Sequence, residues 1–195
     1  MAAHYQTGVD MSVSCKNKLL VAHPNLKGND LFEKAVIYIY EHNFQGASGI
    51  ILNKSSDVSV QLILDQKGLS YYGSDPVYRG GPVNVRSLCM LHSNEWFSSN
   101  TMQIGKYSLT SDNFMLEKVS MDNHPVHWKM FTGMCGWAPG QLEAEIEGKT
   151  EYGKDKGWLV IDPSDNIMFE HDGDEQWVRA ISFATTQAVS QYLTN

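Results

Sequence analysis

Apolar residues along the chain fall into short dense runs, separated by clusters of glycine, proline, asparagine and aspartate. Runs of this kind read as strands and the clusters as turns. "LLVAHP", Leu19 to Pro24, is an apolar run stopped by proline and predicts the first strand. "AVIYIYEHN" and "SGIILNK" are β-branched and aromatic, and the glycine-containing "FQGA" between them predicts a β-hairpin. Both of its strands are nearly continuous in apolar residues, so burial on both faces is expected. "PVYRGGPVN" and "SLCMLHS" predict a second extended pair, joined through a Gly-Gly-Pro turn and "VNVR". "MQIGKYSLT" reads as one strand. In "VHWKMFTG", Val126, Trp128 and Met130 alternate with His127, Lys129 and Phe131, the period of two that a strand requires. "GWLVID" and "IMFE" predict two further strands around an Asp-Pro-Ser-Asp-Asn turn.

Helical periodicity is rarer. "NDLFEKA" makes about one turn with Asn29 or Asp30 as cap. In "SSDVSVQLILDQKG", Val60, Ile63 and Leu64 share a face, Asp57 or Ser59 caps it, and Gly68 ends it. "SDNFMLEKV" predicts a short helix capped by Thr110 or Ser111. The clearest helix is the last, where Trp177, Ile181, Ala184, Ala188 and Tyr192 form one stripe. Asp172 and Glu175 have the spacing of a capping box, with Asp in place of Ser or Thr. Residues 1–17 are polar and without period, a loosely held lead-in; residues 18–195 carry no repeat or linker and read as one domain. Strands outnumber helices and come in hairpins, which points to an α+β fold with a largely antiparallel sheet.

Composition narrows the function classes. At 195 residues, with 42% apolar and 19% charged, the chain can bury a core without staples. Its 15 basic and 22 acidic residues give a formal charge of −7, which repels phosphate backbones, and no clustered basic patch offsets it. Direct nucleic-acid binding is therefore not expected. Cys15, Cys89 and Cys135 are odd in number and follow no metal-ligand spacing, which suits a reducing compartment. The first residues lack the apolar core of a signal peptide, and the densest apolar run, "AVIYIY", is far too short for a membrane span. A cytoplasmic location is expected, with no membrane association.

The stretch "GMCGWAPGQLEAEI", Gly133 to Ile146, admits three readings. A phosphate cradle uses glycines ahead of a helix, but Glu143 and Glu145 occupy the early turns here and the lysine of a P-loop is missing. A nucleophile elbow would rest on Cys135, for which no base or electropositive setting is evident. In the structural reading, glycines let a strand pass close beneath another element before a sharp turn, Trp137 plugs the corner, and Pro139 opens a helix closed by Gly148. Leu142 and Ile146 would then share one face of that helix, Glu143 and Glu147 another.

With that run in hand the chain resembles the AlgH/YqgE family of bacterial proteins. The matching blocks, in family order, begin with "LLVAHPNLKGNDLFEKAVIYIYEHNFQGASGIILNK" and "RGGPVNVRSLCMLHS". "LTSDNFML", "GWAPGQLEAEI", "GWLVID" and "MFEHDGDEQW" follow, so the resemblance spans about residues 19 to 183. Cys135 departs from the family, which commonly has Ala or Ser before Gly-Trp. The resemblance implies an α+β fold whose branched, mainly antiparallel sheet curls into a pseudo-barrel flanked by helices, residues 18–195 forming a single AlgH-like domain. It implies no particular reaction. The transcriptional-regulator label attached to the family fits this acidic chain only as an indirect role.

Polar residues at strand ends within these blocks are the candidate ligand site: His42, Asn43, Asn53, His92, Trp137, Gln141 and Glu143. A histidine beside a carboxylate could act as a base at neutral pH. Alternatively, His42 and Asn53 hydrogen-bond backbone groups and hold the hairpin. The cluster Asp122, His124 and His127 in "DNHPVH" is set aside, because Pro125 and the onset of a strand would splay the ligands. No metal and no cofactor is expected. Two function classes remain: a non-enzymatic binding or indirect regulatory module taking a small ligand or a protein partner, and a small hydrolase or transferase using a His base with a Glu partner. The scaffold would have to bring these residues to one mouth.

Overall fold

The computed structural model describes residues 14–149 and 157–194, and only the backbone of the last four of these. In chain order the described elements are β1 (Lys18–Ala22), β2 (Val36–Asn43), β3 (Gly46–Ile51), β4 (Ser55–Ser59), α1 (Val60–Gln66), β5 (Pro76–Arg79) and β6 (Val83–Ser93). They continue with β7 (Met102–Ile104), β8 (Tyr107–Thr110), α2 (Asn113–Ser120), β9 (Trp128–Trp137), α3 (Gln141–Glu147), β10 (Trp158–Ile161), α4 (Asp165–Phe169) and α5 (Gly173–Thr194). Of the polar lead-in, residues 1–13 lie outside the described residues. Cys15 is buried among core side chains just before β1.

The strands form one sheet whose main path runs β10-β1-β2-β3-β9-β6-β8-β7. The path pairs are antiparallel; β4 pairs with β5, and β5 joins β9 in parallel. β9 is the branch point. Its first half lies between β5 and β6, while Cys135–Trp137 pair with Ala47–Gly49 of β3. The expected α+β architecture with a branched, mainly antiparallel sheet is the one observed, curled into a half-barrel. One hydroxyl measures the curl. Tyr38 on β2 lies five strands from β7 along the path, about 24 Å if the sheet were flat. Its hydroxyl nevertheless donates to the Ile104 carbonyl of β7 at 3.0 Å.

Strand alternation explains why the central strands read as continuous apolar runs. Val36, Tyr38 and Tyr40 of β2 join a core that also takes Tyr107, Phe131, Met168 and Ala180. Ile37 and Ile39 point the other way, toward Cys135, Trp137, Leu142 and Trp158. A third core, with Val60, Leu64, Met115 and Met130, seats α1 and α2. Helices on both faces thus leave β2 without a solvated side, as its sequence predicts.

The structural reading of the Gly133 stretch is the observed one. Gly133, at φ 72°, sits in β9 where a Cβ would fall 2.4 Å from the Gly81 carbonyl oxygen. A Cβ on Gly81 would fall 2.2 Å from the Met134 backbone carbon. The two backbones cross at a separation that only paired glycines permit.

Several local expectations are corrected. "PVYRGGP" and "SLCMLHS" are extended, as β5 and β6, but do not pair with each other: β9 lies between them. A partner some forty residues away (β9 begins at Trp128) won over the local one. "MQIGKYSLT" is a hairpin, β7 and β8, because Gly105 takes φ 61° between Ile104 and its partner Tyr107. "IMFE" is not a strand: Ile167–Phe169 lie in helix α4 with Glu170 as its C-cap, and the Ser164 side chain caps the start by accepting from Ile167 N. In α2 the cap is Asp112, whose Oδ1 accepts from Met115 N at 2.7 Å, not Thr110 or Ser111. Helix α3 begins after Gly140 at φ 76°, so Pro139 precedes the helix and does not open it. Asp172 forms no capping box: its carboxylate accepts from Lys129 Nζ at 2.7 Å and from Tyr78 Oη at 2.7 Å. Lys129 is buried, and a buried ammonium without a counter-charge costs more than a cap contributes.

Candidate functional site

Five of the predicted residues, His42, Asn43, Trp137, Gln141 and Glu143, lie where the β2–β3 hairpin, the end of β9 and the start of α3 meet. Pairing of Ala47 with Trp137 brings the hairpin beside α3. His42 is buried, and its Nδ1 accepts from Cys15 N at 2.9 Å. The ring proton is thereby placed on Nε2, which donates to Glu143 Oε1 at 3.0 Å. Trp137 Nε1 donates to Glu145 Oε2 at 3.0 Å, and Trp158 Nε1 donates to the same oxygen at 2.7 Å. Gln141 donates to Glu145 Oε1 at 2.9 Å and accepts from Ala138 N at 3.0 Å, closing the turn ahead of α3. Glu145, absent from the predicted set, is the acceptor around which this corner is built. Asn43 completes the hairpin by accepting from Gln45 N at 2.8 Å and donating to Glu41. A shallow cleft of about 410 Å³ opens beside Asn43, Ser48, Gly136 and Trp137.

The remaining two candidates lie elsewhere. His92 pairs with Trp128 at the opposite end of β9, nine residues and about 30 Å from Trp137. It is fully buried, donates from Nδ1 to the Ser93 carbonyl at 2.8 Å and accepts at Nε2 from Thr110 Oγ1 at 2.9 Å. Burial pushes its pKa below the ordinary histidine value, which keeps the ring neutral. Asn53 follows β3 at the far end of the hairpin. Its Oδ1 accepts from Val36 N, and Nδ2 donates to the carbonyls of Lys34 and Gly173, tying β2 to the start of α5. The scaffold thus distributes the predicted residues over three places rather than one mouth.

Cys135 is buried, and burial with Glu145 nearby pushes its thiol up to about 12. Burial does the same for Cys89, also to about 12. Neither is set up as a thiolate at neutral pH. In the "DNHPVH" segment, His124 Nε2 lies 3.4 Å from Asp122 Oδ1, whereas His127 stacks on Phe169. Among the described residues no group of three or more His, Cys, Asp or Glu side chains could hold a metal ion.

A further cleft, larger than the one beside Trp137, is one that strand-end polarity did not single out. It measures about 670 Å³ and lies between the Gly28–Leu31 turn and the Gly80–Pro82 crossing. Arg79, Asp30, Asn29 and Thr132 supply its polar lining, and Leu31, Pro82 and Val85 its apolar wall. Asn29 folds the turn by accepting from Leu31 N at 3.1 Å. Arg79 and Asp30 are exposed, and among the described residues neither side chain makes a hydrogen bond or ion pair. The signal for this cleft was present in "RGGPV" and "NDLFEKA". Only the fold shows that the two segments face each other.

A curled, branched α+β half-barrel with a charged cleft beside the link of residues 80–82 where it crosses β9 defines the class. The chain belongs to the AlgH-like family, whose model matches residues 19–188. It is similar to a UPF0301 protein of Ruegeria pomeroyi, 34% identical over 88% of this chain and 92% of that protein. A UPF0301 protein of Shewanella denitrificans is 35% identical over 86% and 89%. The solution structure of the AlgH protein from Pseudomonas aeruginosa superimposes with a TM-score of 0.72 at 25% identity, covering 95% of this chain and 93% of that one. A crystal structure of a protein from Corynebacterium diphtheriae shares the fold, with a TM-score of 0.65 at 23% identity over 83% of each chain. Among the described residues no helix is long and apolar enough to cross a membrane.

Proposed function

We propose that the protein is a cytoplasmic binding module, acting indirectly in regulation, whose ligand sits in the cleft between Asp30 and Arg79. The observation that carries this reading is the cleft itself: about 670 Å³, within the usual size of ligand sites, with the Arg79 side chain lacking a partner among the described residues. Arginine is suited to bidentate recognition of a carboxylate or phosphate. A formal charge of −7 favours a small ligand or a protein segment over DNA. Three free thiols, Cys15, Cys89 and Cys135, suit a reducing compartment. The test is native mass spectrometry of the protein purified from its own cells, beside the Arg79→Gln variant. A co-purifying species lost in the variant supports the reading, and one retained at equal occupancy sinks it.

A second reading, a hydrolase or transferase with His42 as base, has one observation in its favour: the 3.0 Å contact to Glu143. A base needs a free lone pair, and the one on Nδ1 already accepts the Cys15 N–H. Turnover of ester, phosphate or peptide substrates that disappears in a folded His42→Gln variant would establish this reading over the first.

A further inference from the structure

We propose that the Asp30–Arg79 cleft reads a small zwitterion, a molecule with one carboxylate, one ammonium and an apolar body, such as a free amino acid or a short peptide. This rests on the binding reading above and names its ligand class.

Two opposite charges border this cleft without neutralising each other. Arg79 ends β5 and Asp30 stands in the turn before β2, and both line one cleft. Opposite charges facing a common space pair directly when they can reach. Here they do not: among the described residues neither takes part in an ion pair, which places them more than 4 Å apart. Two neighbouring cations, Lys54 and Lys34, are committed elsewhere. Lys54, close enough to feel the charge of Arg79, donates to the Glu33 carbonyl at 2.8 Å, and Lys34 pairs with Asp174 at 2.6 Å.

A ligand with a single anionic group would meet Arg79 but would also meet the field of Asp30. A simple cation would meet the reverse. A zwitterion satisfies both charges in one binding event, its carboxylate on the guanidinium and its ammonium on the Asp30 carboxylate. Its body would rest on Leu31, Pro82 and Val85, the last 60% exposed. Behind the cleft, Gly81 and Gly133 bring two backbones so close that no side chain would fit between them.

The experiment is isothermal titration calorimetry of the full chain with L-leucine and L-leucyl-L-leucine. Two single-charge analogues, 4-methylpentanoate and 3-methylbutylamine, are titrated beside them. At least one zwitterion is expected to bind about tenfold or more tightly than both analogues, the loss typical of removing one charge-assisted contact. Arg79→Gln should erase the preference over 3-methylbutylamine, and Asp30→Asn the preference over 4-methylpentanoate. Both positions are exposed, and an unchanged melting temperature shows that the variants are folded. Equal binding of 4-methylpentanoate and the zwitterions overturns the inference and leaves the binding-module reading standing. Absence of heat for both zwitterions at millimolar concentration also overturns it. In that case a co-purifying species lost in Arg79→Gln would still uphold the broader reading.

Discussion

Two regions of this molecule treat their polar groups in opposite ways. At the His42–Glu145 corner every candidate side chain is spent on the fold: both nitrogens of His42 are bonded, and Glu145 holds two indole N–H groups and Gln141. At the Asp30–Arg79 cleft, two charges face a common space and neither has a partner among the described residues. Buried polar groups must be satisfied because an orphan costs about 1–3 kcal/mol, so saturation marks a structural role. Charges left unpaired in a concave place are free to meet something else. Residue type alone does not separate the two cases.

The contrast can be broken at four points, in order of expected effect. Gly133→Ala should be the most damaging change, since its Cβ would enter backbone at 2.4 Å and its φ of 72° disfavours any L side chain. Crowding and the left-handed conformation together cost about 3 kcal/mol or more, read as a lowered urea midpoint. A midpoint unchanged from the parent would refute the described crossing. Glu145→Ala comes next, leaving the buried Trp137 and Trp158 indoles without their acceptor for a loss of about 2 kcal/mol. If the corner were a ligand site instead of a structural joint, stability would hold and only ligand binding would change.

His92 supplies a pH test. Its folded pKa is depressed from 6.5, so the unfolded chain binds the proton more readily than the native one. Stability is therefore full above about pH 6.5 and falls as the pH drops, by at most about 1.4 kcal/mol per pH unit from this group. Denaturation midpoints measured from pH 7.5 to pH 5 should show this slope, and a His92→Gln variant should show a flatter one. A parent whose stability rises on acidification would contradict a buried neutral His92. Arg79→Gln should do least to the fold, within about 0.5 kcal/mol, while abolishing ligand uptake. A large loss of stability would place Arg79 with the structural residues and collapse the comparison.

How much was legible beforehand follows the range of the interactions involved. The β2–β3 hairpin, its double-sided burial and the existence of α5 rest on local pattern and stand as read. Of the α5 stripe, Trp177, Ile181 and Ala184 pack on the core, Ala188 is exposed, and the Tyr192 side chain lies outside the described residues. The paired glycines were legible as a close crossing, although not as Gly81 against Gly133. What failed was decided by a competitor outside the window. β9 inserted itself between β5 and β6, Ser164 turned "IMFE" into a helix, and Lys129 drew Asp172 away from its cap. At the candidate site, the proximity of His42 to Glu143 spans 101 positions and could not be measured along the chain. Arg79 passed unnoticed because an exposed arginine next to Gly-Gly-Pro has no distinguishing local pattern.

By itself the order of apolar and polar residues determined that this is an α+β protein with hairpins, an acidic surface and a backbone crossing at glycine. Those features depend on period, composition and the steric size of single residues, all of which are written locally. Tertiary structure alone decided which polar groups are consumed and which are left over, because satisfaction of a charge or hydrogen bond is a property of pairs. The Asp30 carboxylate and the Arg79 guanidinium became candidates only when the half-barrel brought two segments to one cleft and gave neither a partner among the described residues.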